Sequence, residues 1–326
     1  MGASYRHSLQ KSTHLNLRVL RWYGGVFVIL AVASAVGGFQ LGRWNRLGAH
    51  GRDRSAVETS VPAPSAEQVS DPGPIDYSPS ATLDPQQQAE GLLEGAIDRQ
   101  EKPLELIRQN VDGWRGHLVE TDRLFDLVFT ALNSNDLRVR TAAVEIDLAA
   151  NNLSKSPESV LRLLREIRSN PAECSWALWR LGALGNRGVQ PKMILSYLLK
   201  YARDPNEHTR AWAVEGLAML ASDGSIDPLL ERFAHDRSAG VRQRAAYALA
   251  HAGMLTREQR LSAVPALLNF LDDDSLDLST RGWVYQTLRS ITGAELGNNP
   301  DVWREWWAHH DKAQRTRVLT AGTYRA

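Results

Sequence analysis

The sequence predicts an all-α protein, a right-handed α-solenoid of helical hairpins preceded by one transmembrane helix and a disordered linker. Three observations predict it. One apolar pattern returns five times at intervals of 32–39 residues. About twenty uncharged residues lie near the N-terminus, and a stretch rich in proline and serine separates them from the repeats. The first residue of each copy is here called its anchor; the anchors are Val139, Glu173, Thr209, Val241 and Thr280.

Each copy has the pattern of an amphipathic helix with a small residue where a second helix approaches. At 100° per residue, the anchor and the positions four and eight residues later fall on one stripe. The fourth position holds Ala143, Ala177, Ala213, Ala245 and Val284, and the eighth holds Asp147, Leu181, Leu217, Leu249 and Leu288. Second helices are expected between the anchored ones, at 157–168, 191–202, 226–233 and 256–271. The repeating unit is therefore a helix-turn-helix.

The copy from Asp236 to Leu249 reads Asp, then Val-Arg-x-x-Ala-Ala-x-Ala-Leu, and this element resembles the HEAT-repeat superfamily, in particular its short bacterial repeats. The resemblance extends over about residues 119–293 and implies stacked helical pairs. It implies little about activity, because such repeats serve unrelated tasks. Three kinds of departure occur: Glu173 and Cys174 replace Val-Arg, Asp147 replaces the leucine, and threonine replaces valine at two anchors.

An arginine follows the anchor in four of the five copies, and an acidic residue precedes it on the loop that enters the helix. These arginines are Arg140, Arg210, Arg242 and Arg281, and the acids are Asp136, Asp204, Asp236 and Asp277. We expect them to form structural ion pairs along the stack, because charge pairs of this kind are common in repeats.

Residues 22–42 are predicted to form a transmembrane helix, after a basic N-terminal tail at 1–21. About twenty uncharged residues at 1.5 Å each span roughly 30 Å of hydrocarbon. The preferred interpretation is an uncleaved signal anchor in the cytoplasmic (inner) membrane, single-pass, with the solenoid on the extracytoplasmic side. Two alternatives stay open: cleavage of a signal after Ala33-Ser34-Ala35, and targeting to an organelle.

The remaining chain divides into a Pro/Ser-rich disordered linker at 43–88, the solenoid at 89–311 and a C-terminal tail at 312–326. Asn299 and Pro300 are typical of a helix start. Trp303, Trp306 and Trp307 then share one helical face, which predicts a lid over the open end of the solenoid. Similar ends occur in the bacterial HEAT-like proteins that the repeats resemble.

The sixth position after the anchor lies opposite the buried stripe and is expected to face solvent. It holds Glu145, Trp179, Glu215, Tyr247 and Gln286. Exposed aromatic residues can anchor a partner, so Trp179 and Tyr247 are the predicted partner-binding residues. Trp176, Trp212 and Trp283 occupy the third position and are instead expected to pack between repeats.

No catalytic, cofactor-binding or metal-binding residues are predicted. The chain holds no P-loop, dinucleotide fingerprint, zinc ligand set or serine elbow. A lone Cys174 has no evident base, and adjacent His309 and His310 point to different sides of a helix. The expected function is a non-catalytic, membrane-tethered scaffold or adaptor that binds a protein partner.

Two alternatives follow from the resemblance: an enzyme like the HEAT-like bilin lyases, and a nucleic-acid-binding protein like certain HEAT-like DNA glycosylases. The charge distribution disfavours the second of them. Residues 1–56 carry a net charge of +7, which leaves −6 on the rest of the chain. Non-specific nucleic-acid binding needs a concentrated basic field, and the repeats have none.

Overall fold

The structure is a computed structural model that describes residues 84–169 and 175–310. None of these residues forms a β-strand, and most of them are helical. The helices are α1 (Pro85–Ile97), α2 (Glu101–Trp114), α3 (Asp122–Leu132), α4 (Leu137–Ala150), α5 (Pro157–Ser169), α6 (Ser175–Asn186), α7 (Pro191–Tyr201), α8 (Glu207–Leu220), α9 (Ile226–His235), α10 (Ala239–Ala250), α11 (Arg257–Ser262), α12 (Val264–Phe270), α13 (Leu278–Thr292) and α14 (300–310).

Side-chain caps determine where several of these helices begin. Asp84 accepts a hydrogen bond from the backbone N–H of Gln87, and Pro85 occupies the first helical position of α1. The side chains of Thr121, Asn206 and Asp277 cap α3, α8 and α13 in the same way. Each cap satisfies a backbone donor that the helix leaves without a partner.

The first helix begins four residues before the expected start of the solenoid at 89, inside the segment expected to be linker. Its apolar face is the reason, because Ala89, Leu92 and Leu93 are buried against the following helices. The chain leaves α1 through Arg99, which has a positive φ of 64°, and α2 then begins at Glu101.

The single helix expected at 256–271 is two helices, so that prediction was wrong in its continuity. α11 ends at Ser262 and α12 begins at Val264, with Pro265 in its first turn. A proline has no N–H to continue the preceding helix, and its ring clashes with the carbonyl four residues earlier. The other three expected second helices agree with α5, α7 and α9 to within two residues at either end.

The anchored helices lie at the centre of the repeat stack, as the pattern predicts. Of the anchors, Val139, Thr209, Val241 and Thr280 are at most 4% exposed, and Glu173 lies outside the described residues. The small residues at the fourth position are all completely buried. The anchored helices α6, α8, α10 and α13 follow one another side by side, with α9 packed on α10 and α7 on α8.

The closest helix crossing in this stack is that of α6 and α8, where two glycines face each other. A Cβ on Gly182 would lie 2.2 Å from the carbonyl oxygen of Gly216. Glycine lets the two backbones touch, at a cost in helix propensity that the close packing offsets.

The first four helices share one hydrophobic core, and α4 approaches α1, α2 and α3 more closely than it approaches α5 or α6. The side of α4 that faces α6 is held partly by ion pairs. Asp147, which replaces the repeat leucine, accepts hydrogen bonds of 2.9 and 3.1 Å from Arg180 of α6. Arg187, directly after α6, lies 2.9 Å from Glu145. The buried charge of Asp147, which interrupts the apolar repeat pattern, is thus balanced by Arg180 of the next anchored helix.

Of the three tryptophans of α14, one is buried and two are half-buried. Trp303 is completely buried, and its indole N–H donates to the carbonyl of Gly297 over 2.8 Å. Trp306 and Trp307 are half-buried and lie against His310, with ring centroids 4.8 and 5.5 Å from it.

The predicted transmembrane helix at 22–42 lies outside the described residues, as do the tail at 312–326, Cys174, Asp311 and most of the linker. Among the helices that the structure describes, none has the length and apolar character that crossing a bilayer requires.

Candidate functional site

The residues at the sixth repeat position, which were expected to face solvent, are largely covered by the rest of the protein. Trp179 is only 3% exposed and Glu215 only 5%. The exposed position predicted for Trp179 is therefore wrong. Its ring lies 5.7 Å from that of Trp176 in an edge-to-face arrangement, so it packs within the protein.

Tyr247 is half-buried, and its hydroxyl donates to the side-chain oxygen of Asn133 over 3.1 Å. Its proposed contact with a partner stays a prediction. This hydrogen bond joins α10 to the loop before α4. A second one joins the residue after α10 to the first turn of α4: Arg140 Nη1 donates to the carbonyl of His251 over 2.7 Å. The end of α10 thus returns to the beginning of α4, which explains why the face opposite the buried stripe is not open to solvent.

Aromatic residues at the third repeat position pack between repeats, as predicted for Trp176 and Trp212. Their ring centroids are 5.3 Å apart, and Phe125 of α3 meets Trp176 edge-on at 6.3 Å. Guanidinium groups cover both indoles, Arg180 at 5.5 Å from Trp176 and Arg244 at 5.9 Å from Trp212. Arg244 also binds Glu215 at 3.0 Å, and burial raises the pKa of that carboxyl.

Two of the four predicted arginines, Arg210 and Arg242, pair with a predicted loop acid, in each case that of the next repeat. Arg210 binds Asp236 of the next repeat through two hydrogen bonds of 2.9 and 2.8 Å. Arg242 binds Asp277 of the following repeat over 2.6 Å. Burial alone would raise the pKa of Asp236, but hydrogen bonds from Arg210 and from the backbone N–H of Ser238 hold it below its ordinary value. Arg140 has no acidic partner among the described residues.

An open groove lies on the surface of the first four helices. It has a volume of about 630 Å³ and lies between α2 and α4, reaching Lys155 on the next loop. Its apolar lining comes from Leu104, Ile107, Val111 and Ala142. Its walls carry both signs of charge, and the rim is bridged by Arg138 and Glu101 at 2.7 Å. Both of these side chains are more than half exposed.

The sequence pattern did not indicate this groove, although α2 carries one usable signal. Glu101, Glu105 and Arg108 recur at spacings of four and three residues, which places them on one face of a helix. The apolar lining belongs to the neighbouring stripe of the same helix. Only the pairing of α2 with α4 turns these two stripes into the wall and floor of one groove.

One serine and histidine are paired as catalytic residues often are. Ser175 Oγ lies 2.6 Å from His208 Nε2, and burial and the charge of Arg244 lower the pKa of that imidazole. Ser175 is only 4% exposed, however, and joins the first turns of α6 and α8. A nucleophile must reach its substrate, so this burial argues for a structural contact.

In the part of the chain that the structure describes, no three His, Cys, Asp or Glu side chains cluster as they would around a metal ion. His309 instead lies 2.8 Å from the carbonyl oxygen of Glu305 in its own helix.

Residues 157–250 match the family model described as HEAT repeats. No curated protein sequence matches the chain. The matched range runs from α5 to α10 and includes the Arg210–Asp236 pair and the glycine crossing of α6 and α8. The sequence match and the stacked helical pairs together support placing these repeats in the HEAT-repeat superfamily.

Proposed function

We propose that this chain is a non-catalytic scaffold that binds a protein partner in the groove between α2 and α4 and is held at a membrane by residues 22–42. The observation that carries the proposal is the groove itself. It combines an apolar floor with a charged rim, the arrangement that protein interfaces favour. The face that carries the sixth repeat position, where partner binding was expected, is instead largely covered by contacts within the chain.

The size and chemistry of the groove suit an extended or helical peptide segment. A volume of about 630 Å³ accommodates several side chains, and the half-buried Leu104 offers an apolar contact that a partner could complete. Exposed ion pairs contribute little to stability. The rim pair of Arg138 and Glu101 can therefore exchange its partners for charged groups of an incoming chain at low cost.

The membrane part of the proposal is supported by the sequence alone. Trp22 to Leu41 contain no charged residue, and aromatic and basic residues flank the segment on both sides. A tether rich in proline and serine, such as the one expected at 43–88, would let the repeats search the space near the bilayer. The repeats are proposed to lie on the extracytoplasmic side.

The experiment is crosslinking in intact membranes with a matched pair of variants. Leu104→Glu places a charge on the groove floor, whereas Leu161→Glu places the same charge on α5, at a leucine that is 51% exposed. We expect the partner crosslink to be reduced about tenfold or more in the first variant and kept in the second. Circular dichroism confirms that both variants are folded. A crosslink that survives Leu104→Glu unchanged would show that the groove does not bind the partner.

A further inference from the structure

Two buried arginines meet at the C-terminal end of α10 without a carboxylate between them. Arg140 is 6% exposed and Arg260 is 8% exposed. Among the described residues, neither forms an ion pair with an acid. Arg260 donates to four carbonyls at the end of α10, those of Ala248, Leu249, His251 and Ala252. Arg140 shares the carbonyl of His251 with it.

The pKa values of both arginines are lowered as a result. Burial, together with the charge of Arg140, lowers the pKa of Arg260 to about 10. Burial likewise lowers the pKa of Arg140. Buried charges are normally paired, because removing a lone ion from water is costly. Within residues 84–169 and 175–310, this pair of cations therefore has no bound carboxylate to balance it.

One edge of the Arg140 guanidinium is free. Its Nη1 is bonded to His251, but its Nε is buried and has no hydrogen-bond acceptor. Nη2, on the same edge as Nε, has no acceptor among the described residues either, and unlike Nε it is reached by solvent. The Nε–Nη2 edge presents two parallel N–H groups, the geometry that binds two oxygens of a carboxylate or phosphate.

The repeat itself shows what this edge binds. Arg210 occupies the same repeat position as Arg140, and its Nε and Nη2 are both bonded to the carboxylate of Asp236. That acid stands five residues before its anchor, on the loop of the next repeat. For Arg140 the corresponding stretch is Arg168-Ser169-Asn170, which contains no acid. The sequence thus supplies the arginine of the pair but no acid at these three loop positions.

We propose that Arg140 binds a small oxyanion on its Nε–Nη2 edge, with Arg260 providing the second positive charge. Arg260 keeps its hydrogen bonds to the four backbone carbonyls, so Arg140 alone contacts the ligand. The ligand replaces the missing loop carboxylate and lies where the end of α10 meets the beginning of α4. This site is separate from the groove between α2 and α4, and either proposal can fail without the other.

The test is thermal unfolding of the full chain in detergent, with sodium phosphate compared with sodium chloride at matched ionic strength. Phosphate at roughly ten times its Kd is expected to raise Tm by about 3–5 °C. Sodium acetate, added in a separate series, distinguishes a preference for phosphate from one for carboxylate. A shift with either anion supports the proposal, and the same Tm in all three salts overturns it.

Variants assign the effect to Arg140. Arg140→Gln should abolish the oxyanion shift, whereas Arg203→Gln, at an exposed arginine, should retain it. Arg140→Lys keeps the charge but loses the two-donor edge, and we expect it to weaken phosphate binding about tenfold as measured by equilibrium dialysis. If Arg140→Gln does not fold, the lysine variant decides. Unchanged phosphate binding in that variant would overturn the proposal.

Discussion

At Arg210 and Asp236 two opposite charges are withdrawn almost completely from water. The side chain of Asp236 is 0% exposed and that of Arg210 is 3% exposed. The corresponding pair one repeat later, Arg242 and Asp277, is more exposed and has one hydrogen bond fewer. Asp277 is 53% exposed and accepts only from Nη2, because Nε donates to Thr280. The same ion pair is thus present in a buried and an exposed version within one protein.

The two versions predict different costs for the same substitution. Asp236→Asn leaves Arg210 buried without a counter-charge, and we expect it to lower the free energy of unfolding by about 3 kcal/mol. Asp277→Asn, at an exposed pair, should cost less than about 1 kcal/mol. Urea unfolding at pH 7 measures both. Asparagine can still accept the backbone N–H of Ser238 in the first variant and that of Thr280 in the second. Equal losses would contradict the role given to burial.

The pH dependence of stability follows from the lowered pKa of Asp236. A carboxyl whose pKa is lower in the folded than in the unfolded chain contributes stability that is present above its unfolded value of about 3.9. That contribution is lost as pH falls from there toward the folded pKa. The difference in unfolding free energy between wild type and Asp236→Asn should therefore shrink between about pH 5 and pH 3. A difference that grows on acidification would refute this sign.

Between elements, the crossing of α6 and α8 is the tightest contact of the stack. A methyl group on Gly182 would meet backbone atoms of Gly216, and backbone cannot move aside as a flexible side chain can. At Gly91, inside α1, the position that a methyl group would take has no atom within 4 Å. The two glycines therefore separate the steric effect of a methyl group from its effect on helix propensity.

Alanine at these two positions should change stability in opposite directions. Gly182→Ala forces α6 and α8 apart, and we expect it to lower the free energy of unfolding by about 2–3 kcal/mol. Gly91→Ala should raise it by about 0.5–1 kcal/mol, because alanine favours the helix. Thermal unfolding followed by circular dichroism distinguishes the two. Tolerance of alanine at Gly182 would mean that the crossing is looser than described.

Helix positions and the buried stripe could be predicted from the sequence because both depend on local periodicity. The complete burial of Ala143, Ala213 and Val284 follows directly from their place in the repeat. The break at Pro265 could also have been predicted, since proline has a known local effect. The apolar pattern continues across 256–271 on both sides of Pro265 and by itself predicts one continuous helix.

Two features could not be predicted in this way: the groove, and the covering of the face that carries the sixth repeat position. Tyr247 meets Asn133, and Arg140 meets the carbonyl of His251, across more than a hundred residues of sequence. Such contacts depend on the accumulated angles between successive repeats, which no single repeat specifies. For the same reason Trp179, whose place on its helix was predicted, is buried where exposure was expected.

At the scale of the whole molecule, charge is distributed unevenly. Residues 1–56 carry a net charge of +7, and the remainder carries −6. The basic end adjoins the uncharged segment at 22–41, as is common beside membrane-spanning helices. This distribution is consistent with a chain whose N-terminal part contacts lipid and whose repeats do not.

Arginine placed in the middle of the uncharged segment tests the membrane proposal. Ile29→Arg with Val32→Arg should prevent insertion, since each arginine costs about 2.5–3.5 kcal/mol at the centre of a span. We expect carbonate at high pH to extract this double variant from membranes and to leave wild type and Val57→Arg in the pellet. Extraction of wild type under the same conditions would mean that residues 22–42 do not cross the bilayer.

The ion pairs between repeats also bear on how this protein could have evolved. Each of the two pairs takes its arginine from one repeat and its acid from the next, as in Arg210 with Asp236 and Arg242 with Asp277. If one whole repeat were duplicated or deleted there, every internal arginine would still face an acid from its new neighbour. Duplication of the repeat anchored at Val241 would therefore lengthen the array, and its deletion would shorten it, without leaving a buried charge uncompensated.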